Sequence, residues 1–152
     1  MCIAFERIGR LDLVPALFDR LLLPEGVRDE LFDGAELDDA WTIARLPGVV
    51  LVQIRGTSVP RLPGGLHRGE REVIAQSLAH SCTALLDEAP ARRAARSHGL
   101  RVVGTLGLLL ACKHQRLIEE VAPLLELLLT TGFRAKAELV NRVLEQAGEG
   151  SR

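Results

Sequence analysis

Residues 83–113, "TALLDEAPARRAARSHGLRVVGTLGLLLACK", decide the fold class, because four short segments alternate inside them. "TALLD" (83–87) is an apolar run that stops on Asp87. "PARRAARSHG" (90–99) opens with a proline, closes on a glycine, and places Ala91, Ala94, Ala95 and His98 on one helical face. "LRVVG" (100–104) is brief and β-branched, and "TLGLLLACKHQ" (105–115) returns to helix. Short apolar strands that each hand over to a helix predict an α/β fold, with a parallel sheet covered on both faces.

The upstream half extends the pattern. "LDLVPALFDR" (11–20) has the spacing of a short amphipathic helix, "LLLPEG" (21–26) reads as a buried strand ended by proline, and "VRDELF" (27–32) as a helical stub. Residues 33–48 are acidic and turn-rich, which suggests a surface connection, and "GVVLVQI" (48–54) is the clearest strand. "SVPRLPGGLHRG" (58–69) gathers prolines and glycines into a loop. "EREVIAQSLAHS" (70–81) then places Val73, Ile74, Ser77 and Leu78 on one face of a helix. The expected strands are Leu21–Leu23, Val49–Ile54, Thr83–Leu86 and Arg101–Val103. Two further helices, over 122–132 and 136–148, make the C-terminal part helical, and residues 1–152 are read as one domain.

Composition narrows the chemistry. Of 152 residues 47% are hydrophobic but only 3% aromatic, so leucine, valine and alanine must fill the core. A net charge of −1 gives no global field, and any anion binding must be local. Three cysteines without a CxxC pair read as reduced thiols, with Cys82 and Cys112 as small buried hydrophobes. The four histidines lack zinc-ligand spacing, and His98 reads as a packing or capping residue. The apolar runs are too short to span a membrane and no export signal is visible, so a cytoplasmic location is expected.

Three acids occupy comparable places: Glu30 after the first strand, Glu72 in the first turns of its helix, and Asp87 at a strand end. Carboxylates gathered at one sheet edge repel each other, and magnesium or manganese would relieve that repulsion. The implied chemistry is metal-assisted phosphodiester hydrolysis. Helix first turns also favour acids for dipole reasons alone, so spacing leaves both readings open. Arg92 and Arg96 share a helical face with Arg93 beside them, which fits either a solvated basic face or contact with phosphate.

Four stretches occur in order: "RIGRLDLVPALFDRLLLPEGVRDEL", "GEREVIAQSLA", "LLDEAPARRAARSHGLRVVGTLGLLLACKHQRLI" and "LLELLLTTGFRAKAELVNRVLEQAGE". Together they resemble an uncharacterised bacterial and archaeal family of the PIN-domain superfamily, related to toxins of VapC type. The resemblance implies a three-layer α/β domain with a mostly parallel five-stranded sheet. It also implies a Mg2+- or Mn2+-dependent endoribonuclease acting on RNA, an antitoxin partner and a homodimer. The family's acids fall on Glu30, Glu72 and Asp87, as metal-binding and catalytic residues. Glu88 stands beside them as a further metal-binding acid, where an aspartate is usual.

Such proteins normally begin with a strand ending in aspartate, whereas "MCIAFERIGR" resembles the helix that follows it. The first strand and its acid are therefore expected to be absent, and cleavage to be weak. The alternative is a degenerate PIN scaffold that binds an antitoxin or a second copy through the leucine-rich "LLELLLTTG" helix. A third reading is passive nucleic-acid binding through Arg92, Arg93 and Arg96, which the near-neutral charge disfavours.

Overall fold

The computed structural model describes residues 2–34, 45–53 and 60–150. Most of the acidic connection expected at 33–48, the end of the strand at Ile54 and the start of the loop at 58–59 lie outside them. The elements are α1 (Cys2–Arg7), α2 (Leu13–Ala16), β1 (Leu21–Pro24), α3 (Glu25–Gly34), β2 (Val49–Val52) and α4 (Arg68–His80), followed by β3 (Ala84–Leu85), α5 (Ala89–Ser97), β4 (Val102–Val103), α6 (Thr105–His114), α7 (Ala122–Thr130) and α8 (Ala137–Gln146). No helix among the described residues is long and apolar enough to cross a membrane.

The chain divides into two compact units, residues 18–104 and residues 1–17 with 105–152. The first holds the four strands found among the described residues. β1 and β2 pair in parallel, with Leu21 opposite Val49 and Pro24 opposite Val52. β3 and β4 also pair in parallel, through Ala84 N–H to Arg101 O and Leu86 N–H to Val103 O, both 2.9 Å. The mixed helix and strand order with parallel pairing bears out the expected α/β class. The pairing differs in extent, since the described residues form two separate two-stranded sheets rather than one continuous sheet. What spans them is packing: α4 lies against both β1 and β3. Val73 and Leu78 of α4 pack on a cluster that includes Ile74, Ala84, Leu86, Ala91, Ala94 and Ala95. The three alanines form the face expected of α5, and their small side chains let the helix approach the β3–β4 pair closely.

The second unit is helical. α1 lies against α2 and α7, and α6 against α8. Leu108, Leu109, Val121, Leu125 and Leu128 are among its fully buried side chains. α2 is only four residues long, shorter than the helix expected over 11–20. Pro15 lies inside it and has no N–H to continue the bonding. Cys112 is buried as expected, and burial pushes its thiol up to about 11, which leaves it an inert thiol at neutral pH. Cys82 departs from expectation: it is exposed in the turn that follows α4.

Candidate functional site

Acidic and amide side chains gather where β1 and β2 end, the edge at which parallel sheets build sites. Helix α3 starts directly from β1, and α4 packs beside it. The two helix starts are tied by each other's carboxylates. Glu72 of α4 accepts a hydrogen bond from the Gly26 N–H of α3, Oε2 lying 2.6 Å from the nitrogen. Glu30 of α3 accepts from the Gly69 N–H of α4 at 3.0 Å. Each acid thus satisfies an orphan donor in the other helix's first turn and sits at the positive end of its dipole. Glu72 is buried and Glu30 exposed.

Arginine completes this seam. Arg68 Nε donates to Glu72 Oε1 at 2.7 Å, and Arg68 Nη1 to Asp29 Oδ2 at 3.0 Å. Arg28 holds the other Asp29 oxygen from Nε at 2.9 Å and Nη2 at 2.6 Å. The Arg28 hydrogen bond is the main cause of an Asp29 carboxyl held below its usual range, with Arg68 adding to it. Bonding to Glu72 in turn raises the Arg68 guanidinium above its ordinary value. Farther along α4, Gln76 Nε2 donates to the Gln53 backbone oxygen at 3.0 Å, and Gln53 Nε2 donates to Glu25 Oε1 at 2.8 Å. Both glutamines lie outside the set that spacing suggests. The signal for Gln76 was the i, i+4 step from Glu72 along one helix face; Gln53, at the end of β2, had none.

A side chain at either helix start would meet a carboxylate. A methyl group on Gly26 would stand 2.9 Å from Glu72 Oε2, and one on Gly69 2.8 Å from Glu30 Oε1. Neither residue is among those with positive φ, so the need is for space alone. In an ordinary helix Gly→Ala stabilises by about 1 kcal/mol. Here the sign should reverse. Gly26→Ala should lose roughly 1–2 kcal/mol by driving off a buried carboxylate that holds a backbone donor, and Gly69→Ala less, because Glu30 is exposed. Urea titrations of both variants check this, and a gain in stability at Gly26 would contradict it.

Asp87 stands elsewhere, past the end of β3. Its Oδ1 lies 3.0 Å, and Arg92 Nη1 3.6 Å, from the position a Cβ would take on Gly104, so the two side chains converge over the end of β4. Arg92 Nε is buried without a hydrogen-bond partner among the described residues. Glu88 is the exposed N-cap of α5, and Arg93 and Arg96 are exposed. His98 caps the same helix, its Nδ1 2.9 Å from the Ala94 backbone oxygen, as its position near the helix end suggested.

A family model described as a PIN domain matches residues 1–149. The chain belongs to the PIN-domain family, and its nuclease-type ancestry follows from that membership. No curated protein and no solved structure matches it. PIN domains generally use divalent metals, so the acids must be judged as ligands. The donor set does not fit. The described residues contain no group of three or more His, Cys, Asp or Glu side chains able to hold an ion. Both Glu72 oxygens are engaged, one by Gly26 and one by Arg68. Glu30 and Glu72 are brought to one seam, but Asp87 and Glu88 do not join them in a common ligand set.

Proposed function

We propose that this PIN-family chain is a binding module of nuclease lineage and not a metal-dependent ribonuclease of toxin type. The observation that carries the reading is the engagement of both Glu72 oxygens, by a backbone N–H and a guanidinium, in bonds that hold two helices together. Two of the carboxylate's four lone-pair sites, one on each oxygen, are committed in this way, and a cation would have to share both oxygens with those donors. The binding surface is formed by exposed leucines on either side of the buried stripe of α7. That helix buries Leu125 and Leu128 yet leaves Leu127 and Leu129 exposed, and Leu117, Leu139 and Ile3 are exposed in the same unit. Apolar side chains left exposed on a helix gain by being covered. The occupant is a second copy of the chain or an antitoxin-like protein. Arg93 and Arg96 supply at most weak, salt-sensitive contact with RNA.

The test is cleavage of one labelled RNA with manganese, with and without EDTA. The expected result is no EDTA-sensitive cleavage by the chain as it stands, and no difference between it and Asp87→Asn. Robust EDTA-sensitive cleavage lost on Asp87→Asn would restore the alternative, a magnesium- or manganese-dependent endoribonuclease with Glu30, Glu72 and Asp87 as its metal-binding acids.

A further inference from the structure

The cation that the acid seam requires is supplied by the chain itself. Arg68 lies in the first turn of α4, and its planar head bridges carboxylates on two helices, Glu72 at 2.7 Å and Asp29 at 3.0 Å. A guanidinium suits this geometry because its donors are fixed in one plane and its charge is permanent. Glu72 is buried while the Arg68 side chain is 62% exposed, so the arginine closes the buried acid from the solvent side. We propose that Arg68 is the built-in counter-cation of the α3–α4 acid seam, and that its occupancy closes Glu72 to divalent metal ions. This deepens the reading of the seam as structural and rests on it.

A divalent ion reaching Glu72 would have to share Oε1 with the Arg68 Nε or Oε2 with the Gly26 N–H, or displace one of them. It would also stand beside the positive charge of Arg68, with Arg28 on the far side of Asp29. Like charges at such range oppose entry. Removing Arg68 reverses the balance. Glu72 and Asp29 then share a seam with Glu30 and lack their bridging cation, and a hard divalent ion becomes the species that neutralises them.

The experiment is a Mn2+ titration of the full chain without RNA, followed by loss of the free-ion paramagnetic resonance signal. Wild type, Glu72→Gln and Glu30→Gln should bind Mn2+ alike. Arg68→Ala should bind about tenfold more tightly than wild type, a modest effect suited to a solvent-facing site. That gain should vanish when Glu72→Gln is added. Wild-type binding that falls on Glu72→Gln would overturn the proposal, and so would a folded Arg68→Ala with no gain. The comparison of wild type with Glu72→Gln decides even if Arg68→Ala does not fold. RNA cleavage is not part of this readout. Cleavage combined with Mn2+ binding independent of Glu72 would defeat the proposed function and leave the assignment of Arg68 standing.

Discussion

Glu72→Ala is expected to destabilise the metal-free chain by about 2–4 kcal/mol, several times the loss from Glu30→Ala. Three contributions set the size. Truncation leaves the buried Gly26 N–H without its acceptor, which alone costs about 1–3 kcal/mol. It also empties the space of a buried side chain, with the transfer and cavity costs of any large-to-small change. The lost pair with the largely exposed Arg68 adds at most about 1 kcal/mol. Glu30 is exposed and caps a single donor, so its loss should cost nearer 1 kcal/mol, as for other helix N-caps.

The direction of the change separates two accounts of the same residue. In a cluster of metal ligands deprived of metal, carboxylates repel one another, and removing one relieves the repulsion. A ligand role therefore predicts that the metal-free variants Glu72→Ala and Glu72→Gln gain stability. A capping role predicts that both lose it. Glu72→Gln should lose less, since an amide oxygen can still accept from Gly26 while the charge that pairs with Arg68 is gone. Urea unfolding in EDTA gives the comparison directly, and a stabilised Glu72→Gln would falsify the structural account.

Sequence patterns reached the elements more readily than the contacts between them. Parallel pairing was legible because apolar "LLLP" and "TALL" each stand before a helix, and period and punctuation are local properties. The alanine face of α5 was legible for the same reason. The seam was not. Glu70 and Glu72 look alike in "GEREVIAQ", yet Glu70 turns back to the His67 N–H at 2.9 Å, whereas Glu72 reaches Gly26, 46 residues away. Spacing within one helix cannot tell a local cap from a cap on another helix. The clue present in the sequence was a pair of glycines, Gly26 and Gly69, each in the first turn of a helix that carries an acid a turn further on. Asp87 lies past a strand end as expected, but the residues near it there, Gly104 and Arg92, come from other parts of the chain.

The second large effect concerns Glu149, where an acid near the C-terminal end again caps a distant helix. Val121 and Ala122 open α7 without a side-chain cap of their own. Glu149 supplies it: Oε1 lies 2.8 Å from the Val121 nitrogen and Oε2 2.7 Å from the Ala122 nitrogen, with Lys113 Nζ 2.9 Å from Oε1. Lys113 also donates to the Glu119 backbone oxygen, which fixes the segment leading into α7. Burial pushes the Glu149 carboxyl up, but the two backbone N–H groups and Lys113 together outweigh it and hold the group below its ordinary value of 4.5. Charged hydrogen bonds of this kind are worth about 1.5–3 kcal/mol each before the cost of ordering the side chain. Glu149→Ala should therefore destabilise the chain by about 2–3 kcal/mol. Because the folded state lowers the pKa, Glu149 contributes its full stabilisation above the unfolded value, and that contribution is lost as pH falls through the folded one. The difference in unfolding free energy between wild type and Glu149→Gln should accordingly be constant near neutral pH and shrink below about pH 4.5. A difference that stays flat into acid would mean that the charge of Glu149 is not what holds the start of α7.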